Sequence, residues 1–269
     1  MRIINADCLQ WMNETDERFD CIFADPPDNI GLGYDTYEDE KKDDDYLEWL
    51  GDVLLACMGR APTVWWSFNS KWTVSMGQIV DSILRFAGGE NWECKCCVQV
   101  FTFGQHNNND FGNNHRPLWR IKHKKAPIYP EQIRVPSWRQ RNGDKRASPK
   151  GRVPGDVFDM QYELPMKKAA ALGLSEVDIE VFPGSVFDFP RVTGNSAQRC
   201  DWHPTQLHED LVERCIKSST LEGQRVLDPF GGTGTTGRVC DRINRAATLV
   251  DIDSTYCSKM AAKPEYPTK

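Results

Sequence analysis

With 269 residues, 39% of them apolar and 27% charged, the chain has the composition of a globular protein with room for one large domain or two small ones. No apolar run approaches a membrane span, and Met1 leads almost directly into Ile3-Ile4 without a signal-peptide pattern, so insertion and export are not expected. The net charge is −6, and ten cysteines in so long a chain read as reduced cytosolic thiols rather than as a disulfide framework.

In chain order, Arg2-Ile3-Ile4-Asn5 predicts a short strand, followed by a turn at Ala6-Asp7-Cys8 and a short helix carrying Leu9, Trp11 and Met12. The apolar run Phe19-Asp20-Cys21-Ile22-Phe23 predicts a buried strand that runs into Ala24-Asp25-Pro26-Pro27-Asp28-Asn29. Proline has no amide to give a sheet ladder and fixes its own φ, so the strand stops at Asp25 and the chain turns stiffly. The carboxyl edge of an open α/β sheet is where ligands sit. The Asp25 carboxylate and the Pro26 carbonyl are two fixed acceptors, suited to a substrate with two N–H bonds, such as an amino group. An ordinary Asp-Pro loop is the plain alternative. Residues 29–45, with Gly31, Gly33 and the charge run Glu38 to Asp45, predict a flexible, solvated loop over this edge.

Asp43 is placed to cap a helix with Tyr46, Leu47, Leu50, Val53, Leu54, Cys57 and Met58 at its apolar positions. Thr63 to Phe68 predicts a strand, Lys71 to Phe86 a helix, and Cys94 to Phe103 alternates like a strand. The order β-α-β-α-β-α-β predicts a mostly parallel sheet covered by helices.

The rhythm then changes. Gln105 to Asn114 is rich in Asn, His and Gly, and Arg116 to Gln198 carries many prolines and few periods apart from helix-like Met166 to Leu172. The expectation is a second region rather than a continuation of the sheet. It opens with Arg116, Arg120, Lys122, Lys124, Lys125, Arg134, Arg139, Arg141, Lys145, Arg146, Lys150 and Arg152, against Glu131 and Asp144 alone. A basic segment on an acidic body is the footprint of a polyanion, and interleaved Trp119, Tyr129 and Trp138 favour nucleic acid over a merely solvated loop. Pro154 to Asp159 and Pro183 to Asp188 are similar pieces to which no function is assigned. Cys94, Cys96 and Cys97 lie near His106, but their spacing fits no ordinary zinc pattern and strand alternation explains it better.

Regular structure returns at His203, with Leu207, Leu211, Val212, Cys215 and Ile216 on one helical face. Gln224 to Asp228 predicts a strand that runs directly into Pro229-Phe230-Gly231-Gly232-Thr233-Gly234-Thr235-Thr236 and a helix from about Gly237. Ala247 to Asp251 predicts a further strand, and Tyr256 and Met260 a last helix. Glycines after a strand let the backbone approach a nucleotide closely. A carboxylate about twenty residues later, here Asp251, can accept from ribose hydroxyls. The Walker pattern is absent and the dinucleotide spacing fails, so a nucleoside cofactor without a phosphate tail fits better.

These residues carry a family resemblance. Asp228 to Thr236 resembles the S-adenosylmethionine motif of DNA amino-methyltransferases, and Asp25-Pro26-Pro27 followed by Asn29 resembles their catalytic motif. Asn5-Ala6-Asp7-Cys8-Leu9 and His203-Pro204-Thr205-Gln206 match segments that flank these motifs. The order, catalytic motif first, is that of the circularly permuted β-type group acting on adenine N6 or cytosine N4. The resemblance covers residues 3–34 and 186–260.

It implies a doubly wound, Rossmann-like α/β sheet with a catalytic half at 1–104, an irregular basic target-recognition region at 105–200 and a cofactor half at 201–269. It implies S-adenosylmethionine bound by Asp7, Cys8, His203, Thr205, Asp228, Phe230, Gly232, Gly234, Thr235 and Asp251. Asp7 would sit at the adenine and Asp251 at the ribose hydroxyls. Phe230, Gly232 and Gly234 would line the methionine and ribose side, and His203 to Thr205 would close the pocket. The catalytic turn would be Asp25, Pro26, Pro27 and Asp28.

Two departures stand out. Asp28 occupies the place of the family's aromatic residue, which stacks on the target base, so Tyr34, Trp65, Trp66 or Phe68 would have to supply the ring. Core packing is expected for at least one of the tryptophans. Leu207-His208 replaces the Lys-Pro that often follows His-Pro-Thr-Gln. The implied function is a site-specific DNA methyltransferase acting on the N6 amine of a flipped adenine. The alternatives are N4-cytosine methylation, a catalytically impaired DNA-binding relative because of Asp28, and a small-molecule methyltransferase, against which the basic, aromatic middle region argues. The expected partner is double-stranded DNA, with no metal and no membrane, a homodimer being compatible. The expected setting is the cytoplasm of a prokaryotic cell or phage-infected host, in restriction-modification with any nuclease on a separate chain.

Overall fold

Three short apolar runs without helical periodicity form the middle of the sheet. β2 (Cys21–Ala24) and β3 (Thr63–Ser67) are buried at every position, and β8 (Arg225–Asp228) at all but its first. Burial on both faces is what a helix-covered parallel sheet requires. The computed structural model describes residues 1–86, 88–100, 109–135, 137–141, 143–158, 192, 196 and 198–262, with the backbone alone for Trp138, Arg141, Val157 and Phe158.

β1 (Arg2–Asn5) and β9 (Ala246–Asp251) complete a parallel run in the order β1-β9-β8-β2-β3. From β2 the chain builds outward through β3, and from β8 it builds the opposite way through β9. The winding therefore reverses between β2 and β8, where Cys21 pairs with Val226 and Ile22 with Leu227. Beyond β3 lies β6 (His115–His123), antiparallel to it, with β4 (Trp92–Lys95) and β5 (Val98–Val100) antiparallel on the far side of β6. β7 (Val157–Phe158) pairs with β5.

Helices cover both faces. α1 (Cys8–Glu14), α2 (Asp43–Arg60) and α3 (Thr73–Phe86) pack with Ile22, Ala24, Leu227 and Val250. α4 (Glu209–Ser219) and α5 (Thr235–Arg242) pack with Cys21, Phe23, Val226 and Leu249, and α6 (Ser254–Ala261) adds Met260. Alternate strand residues thus feed opposite cores. Each fully buried aliphatic side chain contributes about 1.5–3 kcal/mol. At the start of α2, Lys42 stands at the cap without a side-chain bond, so Asp43 is not the cap expected; Asp43, Asp44 and Asp45 fill the first turn instead. There they complement the positive end of the helix dipole.

The expectation that the sheet ends before Arg116 is corrected. His115–His123 is a nine-residue strand in which Leu118, Trp119 and Ile121 are buried. Its cations hid the pattern: the Lys122 side chain turns inward to Glu93 at 3.1 Å and to the carbonyls of His123, Lys124 and Ala126. The single strand expected from Cys94 to Phe103 is broken at Cys96-Cys97 into β4 and β5, which run in the direction of the central strands but pair with the antiparallel β6 rather than with any of them. Val157–Phe158 of the first repeated piece form β7. The second piece at 183–188, the helix expected at 166–172, and residues 101–108 lie outside the described residues. Among the described residues no helix is long and apolar enough to cross a membrane.

Candidate active site

The reversal between β2 and β8 sets two turns from distant parts of the chain side by side. One cleft is lined by Asp7, Cys8, Asp25, Pro27, His203, Thr205, Asp228, Phe230, Gly232, Thr235 and Asp251, all singled out in the sequence. Gly234 sits one step behind, at φ 75° as the N-cap of α5. Pro26 and Asp28 line an adjoining cavity with Asn69, Gln99, His115 and Arg116. The two cavities share Asp25, Tyr34, Thr205, Gln206 and Leu207.

The glycine turn is tied to the end of β9. The Gly231 amide donates to the Val250 carbonyl at 2.8 Å, and the Gly232 amide to Asp251 Oδ2 at 2.7 Å. Asp251 Oδ1 accepts from the Asp253 amide at 2.9 Å. Burial raises the Asp251 pKa, and these amide bonds pull it back. Asp228 accepts from the Phe230 amide at 2.9 Å. Burial pushes its pKa up to about 8, the bonds from Thr236 and Phe230 oppose that, and the charges of Asp25 and Asp251 add to it. Asp7 caps α1, accepting from the Gln10 amide at 2.8 Å. The Cys8 thiol is pushed up to about 12, by burial first and Asp7 second, so it is no nucleophile at neutral pH.

His203 packs between Tyr34 and Tyr256, with ring centroids 5.7 and 4.8 Å away. Burial lowers its pKa, so its ring is neutral near pH 7. A Cβ on Gly232 would lie 3.2 Å from His203 Nε2, so only glycine leaves this approach open. Tyr37 Oη, on the wall of the same cleft, is buried with no partner among the described residues. A buried hydroxyl without a partner is costly, and a polar ligand would satisfy it. An apolar-walled cleft with a few fixed polar groups and a glycine floor suits a nucleoside-sized group carrying a short charged tail.

The proline turn is pinned from behind. Tyr46 Oη donates to the Pro27 carbonyl at 2.6 Å, and Trp72 Nε1 to the Asp28 carbonyl at 2.7 Å. Arg116 Nη2 donates to Asp25 Oδ1 at 2.7 Å and to Asp28 Oδ1 at 3.0 Å, while Nη1 reaches Asp28 Oδ2 at 2.8 Å. Its Nε donates to Ser67 Oγ at 2.7 Å. Burial works against the guanidinium charge, but Asp25 and Asp28 more than offset it and raise the Arg116 pKa. Sequence reasoning missed Tyr46, Trp72 and Arg116 as parts of this site.

The loop after the turn is exposed over most of its length, as expected, but it is tied down by a buried aspartate. Asp39 is buried and accepts from the amides of Asn29, Ile30 and Leu32 at 2.8, 3.2 and 2.9 Å. The Asn29 side chain exchanges bonds with the Lys41 backbone at 2.9 and 2.7 Å. The Thr36 hydroxyl donates to Asp253, closing the loop over the cleft. The signal lay in the sequence: an Asn and an Asp flanking glycines favour such local bonds.

Of the rings considered for base stacking, only Tyr34 lines the cavities. Trp66 and Phe68 are core residues, and Trp65 is buried with its Nε1 on Ser219 Oγ at 2.9 Å. Trp119 packs edge-on against Phe68 at 4.9 Å, which corrects its reading as a base-stacking residue. The basic segment divides as well. Arg116 and Lys122 point inward, Arg134 pairs with Glu131 and Arg146 with Asp144. Lys125, Arg139, Lys145, Lys150 and Arg152 are exposed. The side chains of Trp138 and Arg141, and His106 altogether, lie outside the described residues. Among the described residues no group of His, Cys, Asp and Glu is arranged to hold a metal.

A family model described as DNA methylase matches residues 19–263. The type II methyltransferase M.BglII of Bacillus subtilis is 27% identical over 95% of this chain, which spans 66% of that protein's length. The DNA adenine methyltransferase YhdJ of Escherichia coli is 27% identical over 94% of this chain and 79% of its own. Among solved structures, the PvuII DNA methyltransferase (cytosine-N4-specific) superposes with a TM-score of 0.62 at 11% identity, covering 99% of this chain and 87% of that one. The M1.HpyAVI–SAM complex gives 0.54 at 18% identity, covering 98% and 99%. At these identities the structural likeness speaks for the fold.

Proposed function

This chain belongs to the DNA methylase family of the N6/N4 type, and we propose that it transfers a methyl group from S-adenosylmethionine to the N6 amine of an adenine in double-stranded DNA. The observation that carries this reading is the meeting of the two cavities at Asp25. On one side lie the glycine turn, Asp251 and the Tyr37 hydroxyl, which has no partner among the described residues. On the other lies a polar recess that opens beside the proline turn.

S-adenosylmethionine supplies an activated methyl group. Gly232 and the neighbouring backbone would let it approach, Asp251 and Asp7 would hold its hydroxyl and adenine groups, and Asp228 and Phe230 would shape the floor, all of them residues that line the cleft. An exocyclic base amine is a poor nucleophile because its lone pair is delocalised into the ring. Asp25 and the Pro26 carbonyl accept its two N–H bonds, which localises the lone pair and aims it across the shared boundary. Orientation and fixed acceptors facing the developing positive charge supply most of the rate gain. The base must leave the duplex to enter the recess, at a cost of a few kcal/mol. The exposed cations of the basic segment, Lys125, Arg139, Lys145, Lys150 and Arg152, hold phosphates and so fix the protein on the duplex.

The test is direct. Purified protein is incubated with methyl-labelled S-adenosylmethionine and mixed-sequence duplex DNA, and the product is digested to nucleosides. Label in N6-methyl-2′-deoxyadenosine is expected. Label in N4-methyl-2′-deoxycytidine would overturn the choice of base, and no label in any nucleoside would overturn the activity.

A further inference from the structure

Arg116 neither lines the cofactor cleft nor supplies an acceptor for the amine, yet three of its side-chain nitrogens are engaged. Its guanidinium bridges Asp25 and Asp28 and is anchored on Ser67. The side chains of Arg116, Asp28 and Asp25 are 18%, 11% and 23% exposed, so the group is largely shielded from water. We propose that Arg116 is a positioning residue for methyl transfer: it fixes the Asp25 carboxylate through Oδ1, leaving Oδ2 for the target amine, and Asp28 cancels its charge. This role rests on the methyltransferase reading given above.

The second torsion of an aspartate is soft, so a lone carboxylate on a turn samples a broad arc. The guanidinium is itself locked, forked onto Asp28 and anchored on Ser67, so the one bond from Nη2 to Asp25 Oδ1 has a fixed direction and narrows that arc. The backbone of the turn does not need Arg116 for its own support, since Tyr46 and Trp72 already hold the Pro27 and Asp28 carbonyls. What Arg116 adds is control of one side chain, the one that meets the amine.

The charge balance explains Asp28. As the methyl group is transferred, the amine nitrogen becomes positive. An uncompensated guanidinium beside it would oppose that change. Asp28 takes both guanidinium Nη atoms and is itself buried, a location too costly for an unpaired carboxylate. With Asp28 in place, the cluster carries one net negative charge, and that charge belongs to Asp25. A carboxylate at position 28 is then a working part of this site rather than the loss of one.

The experiment compares wild type, Arg116→Lys, Arg116→Ala and Asp28→Asn on duplex DNA, following kcat, calorimetric affinity for S-adenosylmethionine and Tm. Arg116→Ala is expected to lower kcat by about 10²-fold, the loss typical of a reacting group misplaced by an ångström. Arg116→Lys keeps the charge without the fork and falls between. Asp28→Asn leaves Asp25 alone to balance the arginine, so the cluster loses its net negative charge, and it also lowers kcat. Cofactor affinity stays within about threefold in all of them, the pattern of an interaction that acts on the chemical step. Added guanidinium ion restores part of the Arg116→Ala activity and none of an Asp25→Ala activity. If Arg116→Ala does not fold, Arg116→Lys and Asp28→Asn decide. A folded variant of either position with wild-type kcat overturns the proposal, as does a kcat loss that merely tracks lost cofactor affinity. Wild-type protein that methylates no DNA would instead overturn the activity itself, and this role with it.

Discussion

A single added methyl group at Gly232 tests whether the glycine turn touches the cofactor. Its φ is 50°, where an L-residue costs about 1–2 kcal/mol. The new Cβ would also stand 3.2 Å from Nε2 and 3.4 Å from Cε1 of His203. That is tighter than ordinary van der Waals separation, so the ring must shift by a few tenths of an ångström. The ring is confined by Tyr34 and Tyr256, and a shift loosens its packing on both. Gly232→Ala therefore costs about 1–3 kcal/mol in all. If the turn keeps its shape without cofactor, most of this is lost from folding stability. If the turn relaxes, it is lost from binding, where each 1.4 kcal/mol is about a tenfold rise in Kd.

Denaturant unfolding and calorimetry with S-adenosylmethionine measure the two shares. Gly223→Ala is the control, because Gly223 has φ 78° with open space around it. It should lose stability alone, whereas Gly232→Ala should lose cofactor affinity too, since His203 lines the cleft. Cofactor affinity unchanged by Gly232→Ala would refute the placement of this turn against the ligand.

Asp25→Ala should abolish methyl transfer while calorimetric cofactor affinity stays near wild type, since Arg116 keeps its bonds to Asp28; a fully active variant would remove Asp25 from the mechanism. Asp228 has a folded pKa of about 8 against 3.8 for the ordinary group, so its proton stabilises the fold at low pH and that contribution is lost as pH rises through this window, at up to about 1.4 kcal/mol per pH unit. Asp228→Asn keeps the acceptor for the Phe230 amide and should flatten the fall in unfolding midpoint between pH 6 and pH 8; an identical slope in both proteins would show that another group titrates. Replacing the exposed Lys145, Lys150 and Arg152 by Gln should weaken duplex binding and lower the slope of log K against log salt by about 0.9 for each phosphate no longer neutralised, so an unaltered slope would move the DNA surface elsewhere.

How much of this site could be read from the residues follows from how each is positioned. Asp25, Asp228 and Asp251 each close a short apolar run, and the first two are followed by prolines. Strand ends punctuated in this way are local features. Asp39 was hidden because a charge run reads as solvated, and its burial comes from three backbone amides that a composition count does not register. The tryptophan pair was ambiguous, since Trp65 and Trp66 face opposite cores from adjacent positions of one buried strand. Arg116 was read with the DNA-facing cations because its partner Asp25 lies 91 residues away. Nothing in a basic, proline-containing stretch shows which of its cations turns inward.

The direction of β6 explains why that cation is Arg116. Every strand from β1 to β3 runs the same way, so the carboxyl edge of the sheet collects strand ends: Asn5, Ala24, Ser67, Asp228 and Asp251. A sixth parallel strand would have brought its own C-terminal residues to that edge. β6 runs the other way, with Ser67 paired to Leu118 and Thr63 to Lys122, so it brings its beginning instead. Arg116 lies two residues before Leu118, just past the end of β3, within reach of both Ser67 and the proline turn at the end of neighbouring β2. Lys122, six residues further on, lies at the opposite edge and spends its charge on Glu93 and nearby carbonyls. The antiparallel pairing that departs from the parallel pattern is thus what delivers a guanidinium to the acid of the catalytic turn, and a parallel β6 of the same sequence would leave Asp28 buried without a cation.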